Sequence, residues 1–271
     1  MPTLRLPAWI YQQFDADYRL SVPGEGYGGW NTVEVELPLE RTALISMHAW
    51  GGAPVGQFPG WERCVEYRPR SFEIMRTQFP PLLQAARKAG LPLIHVVGGG
   101  PYYRDHAGFQ KTVKLMESVV PPTPEPGAPA DPVIDHLREI KQRHSFVGTH
   151  NLADVNEGFK TLDFGSGAEP VDGEYITEDA GQLNAVCRHL GVSHLIYIGF
   201  AINWCLLMSP GGMVDMSRKG YFCSAIRQAV TAVENKESAR TEAHKEEGLW
   251  RTALAFGMVF DADDIIGALA P

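Results

Sequence analysis

Five short apolar, β-rich runs punctuate the chain: TALISMH (Thr42–His48), LPLIHVVG (Leu91–Gly98), HLIYIGF (His194–Phe200), GYFCSAI (Gly220–Ile226) and FGMVFD (Phe256–Asp261). Segments of helical pattern lie between them. These are SFEIMRTQF running on into PPLLQAARKAG, a stretch opened by Thr177 as N-cap with Glu178 and Asp179 behind it, a helix from Cys205, and SARTEAHKEEGLWRTALAF. Strands that alternate with helices demand a parallel sheet covered on both faces. The expected fold class is α/β, a three-layer α/β/α arrangement around a central, mainly parallel sheet.

With 271 residues, 44% of them hydrophobic, the chain can bury one large core, and no shift in composition divides it. A single domain over residues 1–271 is expected. VVPPTPEPGAPADP (Val119–Pro132) reads as a surface excursion and NEGFKTLDFGSGAEPVDGE (Asn156–Glu174) as a loop insertion. Neither reads as an interdomain linker, because strands of one sheet lie on both sides. The formal net charge is -8, with no basic stripe interleaved with aromatics, which argues against a nucleic-acid partner. The N-terminal stretch lacks a leader pattern, and no segment approaches the roughly 20 apolar residues of a membrane span. A cytoplasmic protein without membrane contact is expected.

Four cysteines, Cys64, Cys187, Cys205 and Cys223, are too widely spaced for a CxxC or Cys/His metal cluster. Cys187 falls at helical spacing with Ala180, Leu183, Val186 and Leu190, so it reads as a small apolar core residue. Cys223 sits in the strand GYFCSAI and takes the same reading. Cys64, among charged residues in GWERCVEYRPR, is expected to be exposed but has nothing nearby to activate it. Cys205 alone follows the carboxyl end of a buried strand, where ligands collect in open α/β sheets. With Asn203 as N-cap, the positive end of the next helix would favour its thiolate. The plainer alternative is a buried cysteine packed under the sheet edge.

Taken together, GFAINWCLLM and GYFCSAIRQAV resemble the G-V-A-T-D-x-C-V and G-Y-x-V-x-V-x-x-D-A signatures of the isochorismatase-like cysteine hydrolases, which include nicotinamidases and N-carbamoylsarcosine amidohydrolases. TALISMHAW resembles that superfamily's first-strand T-A-L-L-V-I-D-M-Q, LPLIHV its second strand, and KQRHSFVGTHNL (Lys141–Leu152) its K-x-x-x-S-A-F-x-G-T-x-L segment, one residue shorter. The resemblance runs from about Thr42 to the end and leaves residues 1–40 as an N-terminal extension. It implies a Cys-Lys-Asp site in which the cysteine attacks an amide or imide carbonyl, the aspartate carries the proton and the lysine holds the ion pair. Cys205 would then be the nucleophile and Lys141 the lysine. The resemblance also implies a cis peptide between Phe200 and Ala201, aiming the backbone N–H groups of Ala201 and Cys205 at the developing oxyanion.

The chain departs from this pattern in two places that matter. His48 stands where the aspartate belongs. A histidine titrates near neutrality and can pair with a cysteine to make a thiolate, but His48 also reads as a polar residue closing the strand of a site that has lost its chemistry. The lysine has two registers. GAEPVDGEYITEDAGQL also resembles the family's approach to its third strand, which would put the lysine position near Thr177 or Glu178 and leave Lys141 on an insertion. Beyond the nucleophile, Pro210, Gly211 and Gly212 should break the helix after one turn. Trp50, Trp204 and Asn203 are the candidate pocket residues, the tryptophans reading equally well as packing.

Metal and cofactor sites find little support. GGAPVGQFPGW after the first strand carries no histidine, and Asp105 with His106 in RDHAGF is too few ligands. GGGPYY lacks a nucleotide-binding pattern. No cofactor and no metal are expected. Two function classes remain. One is a thiol-dependent hydrolase of a small amide, carbamoyl compound or ureide; the other is a family member that binds a small molecule or assembles subunits without turnover. Isochorismate hydrolysis is disfavoured, since that branch relies on the aspartate this chain lacks. The resemblance further implies a homo-oligomer, a dimer or tetramer.

Overall fold

Eight strands lie in one sheet: β1 (Thr3–Gln12), β2 (Gly29–Pro38), β3 (Thr42–Met47), β4 (Leu93–Val96), β5 (Tyr175–Thr177), β6 (His194–Phe200), β7 (Phe222–Thr231) and β8 (Val259–Phe260), in the order β2-β1-β8-β7-β6-β3-β4-β5. The computed structural model describes residues 3–120 and 126–270. Part of the Pro-rich excursion, residues 121–125, lies outside that range. The six strands from β3 to β8 run parallel to their neighbours, and only β1 pairs antiparallel, with β2 and with β8. The architecture is the expected three-layer α/β/α fold.

The helices are α1 (Pro59–Cys64), α2 (Arg68–Thr77), α3 (Phe79–Ala89), α4 (Ala107–Met116), α5 (Pro132–His144), α6 (Leu152–Phe159), α7 (Ala180–Leu190), α8 (Cys205–Met208), α9 (Met213–Arg218), α10 (Ala243–Ala255) and α11 (Ala262–Leu269). Strand periodicity sorts the core into two halves. Leu44, Ile196 and Ile198 face one side, where α3 brings Phe79, Leu82 and Leu83 and α11 brings Ile265. Ala43, Ile45, Leu195 and Tyr197 face the other, against Leu183 and Val186 of α7, Met216 of α9 and Leu249 of α10. Each such fully buried side chain contributes about 1.5–3 kcal/mol. Among the described residues no helix is long and apolar enough to cross a membrane.

Several local expectations are corrected. The helical stretch SFEIMRTQFPPLLQAARKAG breaks at Gln78 into α2 and α3, because Pro80 and Pro81 are tolerated only in a first turn. The N-cap of α7 is Asp179, which accepts from the Gln182 N–H at 2.8 Å, whereas Thr177 ends β5. The loop insertion from Asn156 begins inside α6. Cys64 is buried in α1, 7% exposed, with its sulfur 3.5 Å from the Val147 carbonyl.

The segment before β3 has an unforeseen place. β1 and β2 pair in continuous register from Thr3↔Pro38 to Gln12↔Gly29, and β1 meets β8 at Trp9↔Val259. Side chains secure the junction. The Trp9 indole N–H donates to Asp261 at 2.6 Å, and the Arg227 guanidinium lies over the rings of Trp9 and Trp30 at 5.3 and 5.2 Å. β2 is left as the outermost strand, with Glu34 and Glu36 along it and Glu36 ion-paired to Arg5.

A buried polar knot holds β4, α3 and the approach to β5 together. Glu174 accepts from Arg87 Nε at 2.7 Å, from the Val171 N–H at 2.9 Å and from His95 Nε2 at 2.9 Å. Burial opposes the carboxylate, but these bonds outweigh it and hold Glu174 at about 2; burial lowers the His95 imidazole, which therefore donates as a neutral ring. Both groups bind protons more readily when unfolded, so acidification destabilises the fold. The loss begins below the ordinary histidine range and continues from the ordinary carboxylate range down to about 2. Glu174→Ala should cost about 3 kcal/mol in urea denaturation at neutral pH, and the variant should show a shallower dependence of stability on pH below about 5.

Candidate active site

β3 and β6 are adjacent and parallel, paired from Thr42↔His194 to Met47↔Gly199. The residues that follow them therefore leave the sheet side by side at its carboxyl end. Gly199 makes the approach possible. Its φ is 119°, and a Cβ at this position would run into the Met47 carbonyl oxygen. The peptide bond between Phe200 and Ala201 is cis.

After it, the chain turns tightly. Trp204 and Leu206 N–H groups both donate to the Ala201 carbonyl at 3.1 Å, and the Ile202 N–H donates to Thr231 at 2.8 Å. Asn203 is not the N-cap of α8. Its side chain exchanges two bonds with the backbone of Val233, at 2.8 and 2.9 Å, and so ties the turn to the segment just after β7. Trp204 occupies the N-cap position without a side-chain bond, and α8 lasts only four residues before Ser209, Pro210 and the glycine pair. So short a helix gives the thiol little of the expected dipole.

Cys205 opens α8 at partial exposure. Burial pushes its thiol up; the Ser209 hydroxyl and the N–H groups of Ala201 and of Cys205 itself lie beside the sulfur and act the other way without prevailing. The expected lowering does not occur, because desolvation exceeds what these neutral donors return. Burial, joined at Cys187 by the neighbouring Cys223, raises the thiols of Cys187 and Cys223 to about 12. Ser209 was overlooked in the sequence, although its i, i+4 spacing from Cys205 was available as a signal.

His48 follows β3 in a left-handed conformation, φ 50°, with its N–H donating to Val96 at 2.9 Å. The ring stacks on Trp50 at 4.7 Å and is 8% exposed as a residue. Burial pushes the imidazole down to about 4, with the Val97 backbone acting in the opposite sense without prevailing, so the ring is neutral near pH 7. Nδ1 is buried without a hydrogen-bond partner, and among the described residues no hydrogen bond joins His48 to Cys205. An imidazolium–thiolate pair is therefore not the resting arrangement.

Lys141 lies on α5, which has no buried residue; no ion pair or side-chain hydrogen bond among the described residues brings it to Cys205 or His48. The strand beside β4 is β5, and the residue after it is Glu178, which accepts from the Tyr103 hydroxyl at 2.5 Å. The register through Tyr175–Thr177 thus describes the sheet, with a carboxylate where that register expects the lysine. Trp204 turns outward, 51% exposed, and stacks on Phe146 at 6.4 Å.

Trp50 does line a cavity at the strand ends. It is small, about 20 Å³, with His48, Trp61, Tyr67, Arg68 and Phe200 also in its wall. Arg68 is 4% exposed, donates to Glu62 at 3.0 Å and to the Ala53 carbonyl at 2.6 Å, and covers the Trp61 ring at 3.7 Å. GWERCVEYRPR, read from sequence only for its cysteine, supplies three of these walls. A wider open cleft, about 640 Å³, begins at Gly51 and Gly52 beyond Trp50 and is floored by Phe72, Met75 and Phe164. Among the described residues no three His, Cys, Asp or Glu side chains gather to hold a metal ion.

No protein-family model matches the chain, and no curated protein matches it. Solved structures do align with it. A cysteine hydrolase from Pseudomonas syringae pv. phaseolicola is similar over 86% of this chain and 94% of its own, at 16% identity and a TM-score of 0.47. An isochorismatase from Pseudomonas putida aligns over 84% and 91%, at 19% identity and 0.43. N-carbamoylsarcosine amidase from Thermoplasma acidophilum aligns over 82% and 97%, at 16% and 0.37. These proteins carry the names that the sequence motifs resemble, but at such scores they bear on nothing in the chemistry of this chain.

Because the Cys205 thiol is pushed up, iodoacetamide should label it slowly at pH 7 and increasingly fast as the pH is raised past the ordinary cysteine range near about 8.5. Ser209→Ala should move that profile further to alkaline pH. A rate profile levelling off below pH 8 would contradict this account of the thiol.

Proposed function

We propose that the protein is a thiol-dependent hydrolase of a small amide, carbamoyl or ureide C–N bond, with Cys205 as nucleophile. One observation carries the reading: of the four cysteines, only Cys205 combines a strand-end position with partial exposure and donors gathered beside its sulfur. In this reaction the sulfur adds to the substrate carbonyl carbon. The Ala201 and Cys205 N–H groups, already beside the sulfur, are then close to the oxygen that takes up the negative charge. The thiol proton passes to the free Nδ1 of His48, which returns it to the leaving amine as the C–N bond breaks and a thioester remains. Since imidazolium is disfavoured in this pocket, the transfer is uphill and turnover should be slow. Lys141 has no part in this scheme.

A second reading, a small-molecule binder without turnover, draws on the neutral His48 and on the thiol that stays protonated. Ammonia release from a panel of small primary amides and ureides separates the two. Wild type should release ammonia slowly, Cys205→Ala should lose at least about 100-fold, and His48→Asp should accelerate the reaction by restoring a carboxylate at the strand end. Saturable binding of panel compounds with no ammonia from wild type or from His48→Asp would favour the binder.

A further inference from the structure

The helix α5 is built the wrong way round for its own chain. Four large apolar side chains, Val133, Ile134, Leu137 and Ile140, are 41–67% exposed, and none of its residues is buried. Val133, Leu137 and Ile140 recur at i, i+4 and i+7, which at about 100° per residue makes them one stripe with Ile134 at its side. Glu139, Gln142 and Arg143 lie on the opposite side of the helix, and these face the chain's own Val147 and Leu152 across a groove of about 180 Å³. The polar side is turned inward and the apolar stripe away from the molecule.

The apolar surface continues past the helix. Phe146 is 60% exposed and stacks on Trp204, while Met208, equally exposed, stands one turn further along α8, its N–H donating to the Trp204 carbonyl at 2.8 Å. Single exposed apolar residues are ordinary, but seven in succession mark an interaction surface. Length argues the same way. α5 has 13 residues and an Asp131 N-cap that accepts from the Val133 N–H at 2.9 Å, yet helices shorter than roughly 12–15 residues are marginal in water without a packed face.

A second copy of the chain fits this face. The 4-3 spacing of the stripe is that of a helix seam, so two such stripes can interdigitate. Charge sets their direction. Asp135 lies in the first turn and Lys141, Arg143 and His144 in the last. Parallel seating would gather the basic ends of both helices, whereas antiparallel seating brings each acidic first turn to the other's basic last turn and opposes the two helix dipoles. A specific interface buries about 800 Å² on each partner, more than four half-exposed side chains supply, and Phe146, Trp204 and Met208 extend the surface. We infer that α5 is a dimerisation helix: two copies pair their stripes antiparallel about a two-fold axis between Leu137 and Ile140, so that Leu137 meets the partner's Ile140 and Val133 the partner's His144. This reading is independent of any role for Cys205.

Sedimentation velocity on the full chain should show a dimer that dissociates on dilution. Leu137→Glu and Ile140→Glu each enter a two-fold interface twice and should raise the dissociation constant at least about 100-fold, whereas Gln142→Glu, on the inward polar side, should leave it unchanged. In a Cys205→Ala background under mild oxidation, Val133→Cys combined with His144→Cys should give covalent dimers, and neither substitution alone should; this cross-link decides the matter where a glutamate variant fails to fold. A dimer that survives Leu137→Glu, one lost equally in Gln142→Glu, or single cysteine variants that cross-link as well as the double one each overturn the proposal. So does a wild type that stays monomeric; if that monomer floats with vesicles of phosphatidylcholine and phosphatidylserine, the stripe is a lipid-binding face instead.

Discussion

The parallel pairing of β3 with β6 is the constraint on which the rest of the structure depends. These two strands are central to the sheet and carry the residues of the candidate site at adjacent carboxyl ends. Their side chains alternate between the two halves of the core, so the register that packs Leu44 and Ile196 on one face and Ile45 and Tyr197 on the other also sets His48 beside the Cys205 turn. A slip by one residue would exchange the core faces and separate the site in the same step.

Desolvation governs the chemistry at that junction. The protein withdraws a thiol and an imidazole from water without giving either a charged partner, so both are pushed towards their neutral forms. A carboxylate at position 48 would reverse the electrostatics, since an anion there could accept a proton from the thiol at lower cost than a buried imidazole can. The nearest fixed positive charge in the cavity wall, Arg68, is already engaged with Glu62 and the Ala53 carbonyl. It shapes the pocket through the Trp61 ring rather than by stabilising a thiolate.

Sheet strands and the position of Cys205 were legible in the sequence because buried parallel strands are continuous apolar runs and because segments of helical pattern alternate with them. β5 is legible only through the likeness of GAEPVDGEYITEDAGQL to the approach to a third strand, since three residues are too few to show a period and its neighbour Glu174 falls in a stretch that reads as a loop. β1 and β2 were missed for another reason: they pair mainly with each other and bury little, so their alternation is faint against their partly exposed side chains. Lys141 and Asn203 show where local pattern misleads. SFVGT beside the lysine fits a motif, yet Lys141 lies on the exposed helix α5, and a good N-cap residue is claimed by the backbone just after β7, thirty positions on. The raised thiol is not visible in sequence, because burial is a property of the assembled walls.

The hairpin at the other side of the sheet has a consequence for colloidal behaviour. A parallel sheet ending at β8 would expose a short apolar edge of unpaired N–H and C=O groups, ready to template another chain. β1 covers that edge, and β2 presents a new one bearing Glu34 and Glu36. Two molecules approaching antiparallel along β2 in the register that sets Glu34 opposite Glu36 would bring carboxylates face to face, which disfavours pairing through this edge of the sheet.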